Sequence, residues 1–509
     1  MADVLREHAA ERPDRVAVRH GEQELTYAEL DARSNRLARA LLDAGIGPGS
    51  RVAYLDRSAP EIVELLFAAS KIEAVTVPLN WRLAPAELAV VMADACAAVL
   101  VAGPGYADLA GELVSRTPTP AGLVVVGPDY ERRLAAYEPS DPGGRGDTDD
   151  AVLQLYTSGT TGVPKGVLTT HRNLAAAAET SPYWEFDADS VSLTPLPMFH
   201  IGGIGWAFLG LWNGATTELV SEFVPEDVLD LLEFRRVTNA VLVPTMLQML
   251  TSVDGTAARD FSQLRSIAYG ASPITTPVLK AALRTFGCRF YGIYGLTEST
   301  GGVVQLDPED HDPDGPREHL LQAAGRPLPW VELRIADPET GVEVELGATG
   351  EVWLRAPNVT PGYAGRPNET AATITPDGWL RTGDGGYLDA EGYIFLTDRL
   401  KDMIVSGGEN VYPVEVEEAL SQHPDVAEVA VIGVPDERWG EAVKAIVVAR
   451  PGSAPSPEEL SAFARDRLAS YKLPRSFEFV DRLPRTPSGK VLKRELRERR
   501  SVVLYSHPG

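Results

Sequence analysis

Residues 156–166 read Tyr-Thr-Ser-Gly-Thr-Thr-Gly-Val-Pro-Lys-Gly and continue a short apolar run that begins at Ala151. A strand that ends in such a loop offers hydroxyl donors, one lysine, and backbone N–H groups that glycine lets a ligand approach closely. These are the groups that a polyphosphate needs. The loop lacks the Gly-Lys-Ser/Thr ending of a Walker A motif. The stretch therefore predicts a phosphate-binding loop of another type at the end of a strand.

Short apolar runs alternate with helical segments on both sides of this loop. Thr26-Tyr-Ala-Glu29 has the capping-box pattern that begins a helix. Strand-like runs follow at Arg51 to Leu55, Ala74 to Val77, Ala98 to Ala102 and Leu123 to Val126. This alternation predicts an α/β architecture with largely parallel, buried strands.

The pattern changes twice toward the C-terminus. From Ala324 to Asp398, strands are punctuated by glycine and proline, which predicts a β-rich subdomain at about 324–398. Beyond Asp398 the order is helix, strand, strand, helix, as in a compact α+β domain. We therefore expect a large N-terminal domain over residues 1–398 and a small C-terminal domain over residues 399–509.

Composition limits the classes of partner. The chain has 509 residues, 44% of them hydrophobic and 23% charged, which is typical of a soluble globular protein. Its net charge of -25 disfavours nucleic acid, which clustered Lys and Arg bind. No apolar run approaches the roughly 20 residues of a membrane span, and we see no secretory signal. We expect a cytoplasmic protein in which Cys96 and Cys288 are buried free thiols.

Further motifs follow the loop in order. They are Tyr294-Gly-Leu-Thr-Glu298, Leu380-Arg-Thr-Gly-Asp384, Asp398-Arg-Leu-Lys-Asp402 with Ser406-Gly-Gly-Glu-Asn-Val-Tyr-Pro413, and Pro487-Ser-Gly-Lys490. Together with the loop they resemble the acyl-adenylate-forming superfamily, which includes acyl-CoA synthetases, aryl-CoA ligases, firefly luciferase and the adenylation domains of peptide synthetases. The resemblance extends from Thr26 to about Arg500.

The resemblance implies an ATP site. It assigns the phosphates to the loop, the adenine to Gly270-Ala-Ser and the Tyr-Gly pair, and the ribose to an Asp and an Arg, which suit hydroxyl groups as acceptor and donor. Thr297 would contact phosphate, and the Glu298 carboxylate would hold Mg²⁺, which prefers oxygen ligands while it bridges phosphates. The nucleotide residues implied are Thr157, Ser158, Gly159, Thr160, Thr161, Lys165, Gly270, Ala271, Ser272, Tyr294, Gly295, Asp384, Arg399 and Asn410.

The same resemblance implies a mobile C-terminal domain. Lys490 would be the cation of the first half-reaction, in which a carboxylate and the α-phosphate, both anions, must meet. Lys401 resembles the hinge about which the domain swings between half-reactions. Gly407 and Gly408 resemble the stretch beside the pantetheine arm of CoA, although many aryl-CoA ligases carry a lysine near this position. His200 would lie at the mouth of the acyl pocket.

The nature of the acid is less constrained. Small and apolar residues are implied as pocket walls, where glycines leave depth and larger residues supply apolar surface. No acidic residue stands beside His200 to bind an amino group, and Ile293 occupies the place where malonyl-CoA synthetases have an arginine. An amino acid and a dicarboxylate are therefore disfavoured. The predicted walls are Phe199, Gly203, Ile204, Trp206, Ala268, Gly292, Ile293, Gly301 and Gly302.

We therefore expect an acid–thiol ligase that uses Mg·ATP to form an acyl-AMP and then transfers the acyl group to CoA. The acid would be a medium- or long-chain fatty acid, or an aryl or arylpropenoic acid. One alternative is transfer to a carrier protein or to another nucleophile. An alternative of another class is a non-catalytic member that binds nucleotide or acyl groups. The sequence does not specify the oligomeric state, the pathway or a role for residues 501–509.

Overall fold

The computed structural model describes residues 1–117, 122–157, 164–399, 402–406, 409–436, 439–465, 467–468, 470–486 and 489–498, with the backbone alone at 398, 399, 405, 409, 410 and 440. The strands in this part of the chain are β1 (Val16–His20), β2 (Gln23–Thr26), β3 (Arg51–Leu55), β4 (Val75–Pro78), β5 (Ala97–Ala102), β6 (Gly122–Val125), β7 (Ala151–Thr157), β8 (Lys165–Thr170), β9 (Val191–Thr194), β10 (Thr216–Leu219), β11 (Asn239–Leu242), β12 (Ser266–Gly270), β13 (Arg289–Leu296), β14 (Gly301–Leu306), β15 (Arg326–Pro327), β16 (Glu332–Ala336), β17 (Gly350–Arg355), β18 (Leu380–Leu388), β19 (Ile394–Arg399), β20 (Ile404–Ser406), β21 (Glu409–Val411), β22 (Val426–Asp436), β23 (Gly440–Ala449) and β24 (Ser476–Phe479).

The α-helices of the same residues connect these strands. They are α1 (Ala2–Glu11), α2 (Tyr27–Asp43), α3 (Pro60–Ser70), α4 (Pro85–Ala95), α5 (Ala107–Arg116), α6 (Pro128–Ala135), α7 (His171–Ala178), α8 (Ile201–Trp212), α9 (Pro225–Phe234), α10 (Pro244–Thr251), α11 (Thr276–Phe286), α12 (Pro367–Thr373), α13 (Pro413–Ser421), α14 (Pro457–Arg465) and α15 (Lys493–Glu498).

Two large sheets form the body of the molecule. One has nine strands in the order β15-β14-β13-β12-β11-β9-β10-β1-β2, and the other has six in the order β6-β5-β3-β4-β7-β8. Neighbouring strands are parallel from β1 through β10, β9, β11 and β12 to β13, and from β6 to β7. The hairpin β7–β8 is antiparallel and contains the phosphate loop. The predicted α/β fold with largely parallel strands is confirmed.

Helices are layered around these sheets. Helix α3 contacts β1 of the nine-stranded sheet and β4 and β7 of the six-stranded sheet, so it lies between them. The largest buried cluster fills this layer with residues of α2, α3 and α8. A second cluster lies under α9, α10 and α11, and a third lies under α4 and α5. Burial of apolar surface on both faces explains why these strands are continuous apolar runs rather than alternating ones.

The C-terminal part has two smaller sheets. An antiparallel sheet of β16, β17, β18 and β19 occupies the predicted β-rich region. Beyond it, a five-stranded sheet contains β20 to β24, with α13 and α14 packed on one face and α15 against β22. The small α+β unit expected there is present.

Local sequence patterns predicted the start of α2 correctly, but they did not predict the exposure of the two cysteine thiols. Thr26 and Glu29 form the predicted capping box at the start of α2. The burial predicted for Cys96 is wrong, because this thiol is exposed, and Cys288 is only partly buried. Cys96 follows α4 in a left-handed conformation (φ 50°), which ends the helix at the surface. Among the described residues, no helix is long and apolar enough to cross a membrane.

Candidate active site

The predicted site residues converge at the carboxyl ends of parallel strands. β7 ends at Thr157, β12 at Gly270, and β9 at Thr194, just before the segment that leads to His200. The next strand, β13, runs into the turn 297–300. In α/β sheets, ligands bind at this edge because each strand there gives way to a loop. The topology therefore brings together residues that lie far apart in sequence.

Only the two ends of the phosphate loop are described. Thr157 and Lys165 face each other as partners across the β7–β8 hairpin. The Lys165 ammonium lies 5.0 Å from the centroid of the Tyr363 ring, a cation–π contact that holds it beside the loop. The predicted phosphate residues Ser158, Gly159, Thr160 and Thr161 lie outside the described part of the chain.

Side-chain hydrogen bonds from neighbouring segments hold the residue that precedes the loop, Tyr156. Tyr156 donates a hydrogen bond of 2.7 Å from its hydroxyl to Oδ2 of Asp94, and Arg366 Nη2 donates one of 2.7 Å to Oδ1 of the same carboxylate. Gln154 donates to the Tyr156 hydroxyl at 2.8 Å. Asp94 therefore links α4 to the end of β7 and to the segment before α12.

The turn 297–300 holds the candidate metal ligand. Tyr363 donates a hydrogen bond of 2.9 Å from its hydroxyl to Oε1 of Glu298. Thr360 N donates to the Glu298 carbonyl at 2.8 Å, and Asn358 Nδ2 donates to the Ser299 carbonyl at 2.8 Å. The segment 358–363 therefore fixes both the backbone of the turn and the direction of the carboxylate.

The donor set of this turn fits a magnesium ion carried by a nucleotide. Glu298 presents a partly buried carboxylate beside Thr297, at the edge where the phosphate loop also ends. Mg²⁺ binds proteins through one or two carboxylates and keeps its remaining ligands from water and phosphate. Among the described residues, no group of three or more acidic, histidine or cysteine side chains could hold a metal ion alone. Glu298 is thus suited to Mg·ATP rather than to a resident metal.

The candidate ribose residues lie side by side. Asp384 and Arg399 are partners across β18 and β19, and the Tyr294 hydroxyl donates a 2.8 Å hydrogen bond to Oδ2 of Asp384. The side chain of Arg399 and that of Asn410 lie outside the described atoms, as do Lys401, Gly407 and Gly408 entirely. Tyr294 and Asp384 therefore define this part of the site.

The candidate adenine loop follows β12. A Cβ at Gly270 would lie 2.1 Å from the Ile293 carbonyl, so glycine is needed where β12 and β13 converge. Ala271 has a left-handed backbone (φ 66°), and so does Thr300 (φ 49°) at the end of the turn 297–300. Such backbone is costly for residues with a side chain and is concentrated at functional sites. Ser272 follows and is partly exposed.

His200 lies at the start of α8, where its ring packs 4.7 Å from that of Phe199. Burial, with smaller contributions from the positive charges of Lys490 and Arg82, lowers the pKa of His200 to about 4. The histidine is therefore neutral near pH 7. Its Nε2 is buried and has no hydrogen-bond partner among the described atoms, so it is available to a ligand.

Lys490 belongs to the C-terminal part of the chain, and its charge acts on His200. It follows Gly489, at which an added Cβ would lie 2.8 Å from Thr245 Oγ1 of α10. Two hydrogen bonds join the same parts of the molecule: Gln248 Nε2 donates to the Ala427 carbonyl at 3.1 Å, and Thr276 N donates to Glu418 at 3.2 Å. The C-terminal part therefore contacts α10 and α11, on the side from which the Lys490 charge contributes to lowering the pKa of His200.

The glycines of the predicted acyl pocket differ in their surroundings. A Cβ at Gly203 would lie 2.2 Å from the Pro197 carbonyl, and one at Gly292 would lie 2.8 Å from the Tyr269 hydroxyl. These two glycines allow protein atoms to pack closely, and they do not provide the pocket depth that the sequence analysis expected. At Gly301 (φ 101°), by contrast, no atom lies within 4 Å of an added Cβ. The free space is therefore on the side of Gly301.

Four of the remaining predicted walls belong to or pack against one core cluster. Ile204, Trp206 and Ala268 are buried in it, and Ile293 packs against its edge. The same cluster contains Trp184, whose ring lies 5.4 Å from that of Trp206.

Sequence reasoning missed several residues that shape the site. Asn358, Thr360 and Tyr363 fix the turn 297–300, and Trp184, held by Gln305, packs against the predicted pocket wall Trp206. The segment Pro357-Asn-Val-Thr-Pro-Gly-Tyr363 is a dense run of turn residues, and this was the only available signal. For Trp184 the sequence carries no periodic or spacing signal.

Comparison with known proteins agrees with this site. The family model of the AMP-binding enzymes matches residues 5–364, and that of the AMP-binding enzyme C-terminal domain matches residues 415–490. A fatty acid–[acyl-carrier-protein] ligase from Streptomyces coeruleorubidus is 43% identical over 97% of this chain and 95% of its own length. A feruloyl-CoA synthase from Amycolatopsis sp. is also 43% identical, with 96% of each chain covered.

A solved structure supports the same relationship. The amide bond synthetase McbA from Marinactinospora thermotolerans superposes with a TM-score of 0.89 at 35% identity, over 98% of this chain and 99% of that one. The family matches, the relatives and the arrangement of the site lead to one conclusion. This chain is an AMP-binding enzyme of the acyl-adenylate-forming superfamily and belongs to its acyl-CoA synthetase branch.

Proposed function

We propose that this enzyme joins a carboxylic acid to CoA in two steps, through an acyl-AMP. In the first step the carboxylate attacks the α-phosphate of Mg·ATP and pyrophosphate leaves. In the second step the CoA thiolate attacks the carbonyl carbon of the acyl-AMP, and AMP leaves. The acid belongs to the fatty or the aryl and arylpropenoic class.

The proposal is carried by Lys490, whose positive charge acts on His200 from the C-terminal part of the chain. A cation here would offset the repulsion between carboxylate and α-phosphate, and it would stabilise the negative charge that develops on the oxygens around the pentavalent phosphorus. His200 is neutral there and adds no further positive charge. A cation together with a neutral histidine supports the adenylate-forming step.

Other residues would position the nucleotide. Glu298, oriented by Tyr363, would hold Mg²⁺, which would neutralise phosphate charge. Tyr294 and Asp384 would fix the adenosine, and Lys165 would contact the outer phosphates. Binding energy from these remote groups orients the acid for in-line attack.

The second step requires that Lys490 withdraw so that a thiol can enter. We propose that the C-terminal domain, residues 399–509, rotates about Lys401, and that Gly407 and Gly408 then line the path of the pantetheine arm.

Two measurements test the proposal. Acid-dependent exchange of pyrophosphate into ATP reports the first step, and CoA-dependent release of AMP reports the second. We expect exchange with a suitable acid in the absence of CoA, and thioester when CoA is added. Exchange without any CoA thioester would limit the enzyme to adenylate formation.

A second acceptor has a specific observation in its favour. One of the relatives at 43% identity is named as a ligase for an acyl carrier protein. A carrier-protein phosphopantetheine ends in the same thiol as CoA, so the same residues could serve both. Rates of acyl transfer measured in parallel with CoA and with a holo carrier protein distinguish the two acceptors.

A further inference from the structure

An aromatic cluster stands where the tail of a bound acid would end. Trp184 and Trp206 are each 4% exposed, and Phe186 is 7% exposed. The Trp206 ring lies 5.4 Å from Trp184 and 5.1 Å from Phe186. Trp206 is on α8, the same helix that begins at His200, so the cluster lies farther from the reacting carboxylate than the histidine does.

Trp184 is held at two points. Its indole Nε1 donates a 2.7 Å hydrogen bond to Oε1 of Gln305, which is 5% exposed and itself donates to Asp307 at 2.6 Å. Its carbonyl accepts hydrogen bonds from Asn239 Nδ2 at 2.7 Å and Ser266 Oγ at 2.9 Å. Buried hydrogen bonds of this kind are costly to break, so the ring is a fixed wall rather than a movable side chain.

The wall faces strand β14 at Gly302. A Cβ at Gly302 would lie 3.7 Å from the Trp184 ring and 2.7 Å from Ile293 Cγ2. The space that the missing side chain leaves at Gly302 is thus taken by Trp184 and Ile293. One residue earlier, at Gly301, the space is open. Space for a side chain is therefore present at Gly301 and is closed by Trp184 and Ile293 at Gly302.

Trp206 adds a polar feature to this wall. Its Nε1 is buried, and it has no hydrogen-bond acceptor among the described atoms. A buried donor without a partner destabilises the protein. An oxygen atom of the substrate would satisfy it.

We propose that Trp184 and Trp206 close the distal end of the acyl pocket, and that they restrict the acid to compact aromatic acids with an oxygen acceptor on the ring for Trp206 Nε1. This inference rests on the proposed function and selects the aryl class over the long-chain fatty class. A flat ring can stack against the two indoles, whereas a long alkyl chain would have to pass through them.

The first test compares acid size in the full-length enzyme. Pyrophosphate exchange is measured with cinnamic acid and with hexadecanoic acid. We expect the wild type to favour cinnamic acid, and Trp184→Ala to raise the hexadecanoate-to-cinnamate ratio of kcat/KM by roughly tenfold or more. Tyr183→Ala is the matched control, because Tyr183 is the neighbouring aromatic residue and is 43% exposed. It should leave the ratio unchanged.

The second test compares ring substituents. We expect the wild type to favour 4-methoxycinnamic over cinnamic acid, and Trp206→Phe to lower that preference by roughly threefold to tenfold, the worth of one hydrogen bond. Trp212→Phe changes a tryptophan on the same helix that packs against Phe208 instead, and it should have no such effect.

The possible outcomes distinguish failure of the aromatic wall from failure of the proposed function. A wild type that favours hexadecanoate, or a folded Trp184→Ala enzyme with an unchanged ratio, overturns the wall and leaves the proposed function intact. If Trp184→Ala does not fold, the hexadecanoate-to-cinnamate ratio of kcat/KM is measured for Trp184→Leu instead. That ratio and the wild-type preference then decide whether Trp184 limits the length of the acid. A methoxy preference that is absent, or that survives in Trp206→Phe, overturns the role of Nε1. Absence of exchange with every acid overturns the proposed function, and the wall with it.

Discussion

The hydroxyl of Tyr294 donates a 2.8 Å hydrogen bond to Oδ2 of Asp384 and so joins the nine-stranded sheet to the antiparallel sheet of β16–β19. Tyr294 lies near the carboxyl end of β13, and Asp384 is the partner of Arg399 across β18 and β19. The bond therefore fixes the relative position of two groups that the proposed function assigns to one nucleoside.

Tyr294→Phe should weaken ATP binding while the protein stays folded. Loss of one hydrogen bond to a carboxylate frees Asp384 to move and should raise the KM for ATP by roughly threefold to tenfold. The acid lies elsewhere in the site, so its KM should change little. Initial rates of pyrophosphate exchange at varied ATP and varied acid measure both constants.

A matched control exists at the surface. Tyr137 donates a 3.0 Å hydrogen bond to Asp43, far from the strand ends that form the site. Tyr137→Phe removes the same type of bond and should leave both constants unchanged. Equal changes in the two variants would show that Tyr294 has no specific part in nucleotide binding.

Tyr363→Phe tests the orientation of Glu298. The phenol fixes one carboxylate oxygen at 2.9 Å, and without it the carboxylate can rotate away from the metal. We expect a rise of roughly threefold to tenfold in the Mg²⁺ concentration that gives half-maximal exchange. Glu298→Gln should have a larger effect because it removes the charge itself. Titration of activity with Mg²⁺ at fixed ATP provides the measurement.

Tyr393 supplies the control for this variant. Its hydroxyl donates a 2.8 Å hydrogen bond to the buried Asp310, away from the phosphate edge. Tyr393→Phe should alter stability and not the requirement for Mg²⁺. A Mg²⁺ titration of Tyr363→Phe that coincides with that of the wild type would contradict the proposed role of Glu298.

Lys490→Ala should separate the two half-reactions. The adenylate-forming step loses its cation and should slow by about 100-fold or more, the scale found when one stabilising group is removed from a site. Thioester formation from supplied acyl-AMP and CoA should proceed at nearly the wild-type rate, because the lysine is withdrawn in that step.

Lys493 is a suitable control in the same segment. It pairs with Glu417 at 3.0 Å on the C-terminal domain itself. Lys493→Ala should leave both half-reactions within about twofold of wild type, as expected for a substitution outside the site. A similar loss in both half-reactions of Lys490→Ala would mean that the lysine supports the fold or a shared binding step.

The sequence predicted the parts of this enzyme that local pattern determines. The capping box at Thr26, the glycine-rich loop after β7 and the Tyr294–Glu298 motif each carry their information within a few consecutive residues. The loop after β7 and the turn after β13 belong to different sheets, and Tyr363 links them by contacting both Lys165 and Glu298.

What could not be predicted depends on contacts between distant segments. Gly203 and Gly301 look alike in sequence, yet a Cβ at Gly203 would meet the Pro197 carbonyl and one at Gly301 would meet nothing. Likewise the position of the Trp184 ring depends on Gln305, more than a hundred residues later, which accepts its indole hydrogen. Cys96 follows an apolar helix and still turns its thiol to solvent, because the helix ends there.

The last prediction concerns stability in acid. His311 accepts a 2.9 Å hydrogen bond at Nε2 from the Tyr269 hydroxyl, and its Nδ1 lies 2.8 Å from the Asp307 carbonyl, as expected for a neutral ring protonated at Nδ1. Burial lowers the pKa of His311 to about 4. The unfolded chain, with a pKa near 6.5, binds this proton more readily. Stability from this histidine is therefore complete above about pH 6.5 and is lost as pH falls toward 4.

Urea unfolding between pH 4 and pH 7 measures this effect. One proton taken up on unfolding contributes up to about 1.4 kcal/mol per pH unit to the slope. His311→Gln should be less stable than wild type at pH 7 and should have a shallower slope below pH 6.5. His319→Gln, at an exposed position, should keep the wild-type slope. The other histidines with a pKa lowered to about 4, His171 and His200, remain in both variants, so the slope should decrease and not vanish. An unchanged slope in His311→Gln would show that His311 is not protonated on unfolding in this range.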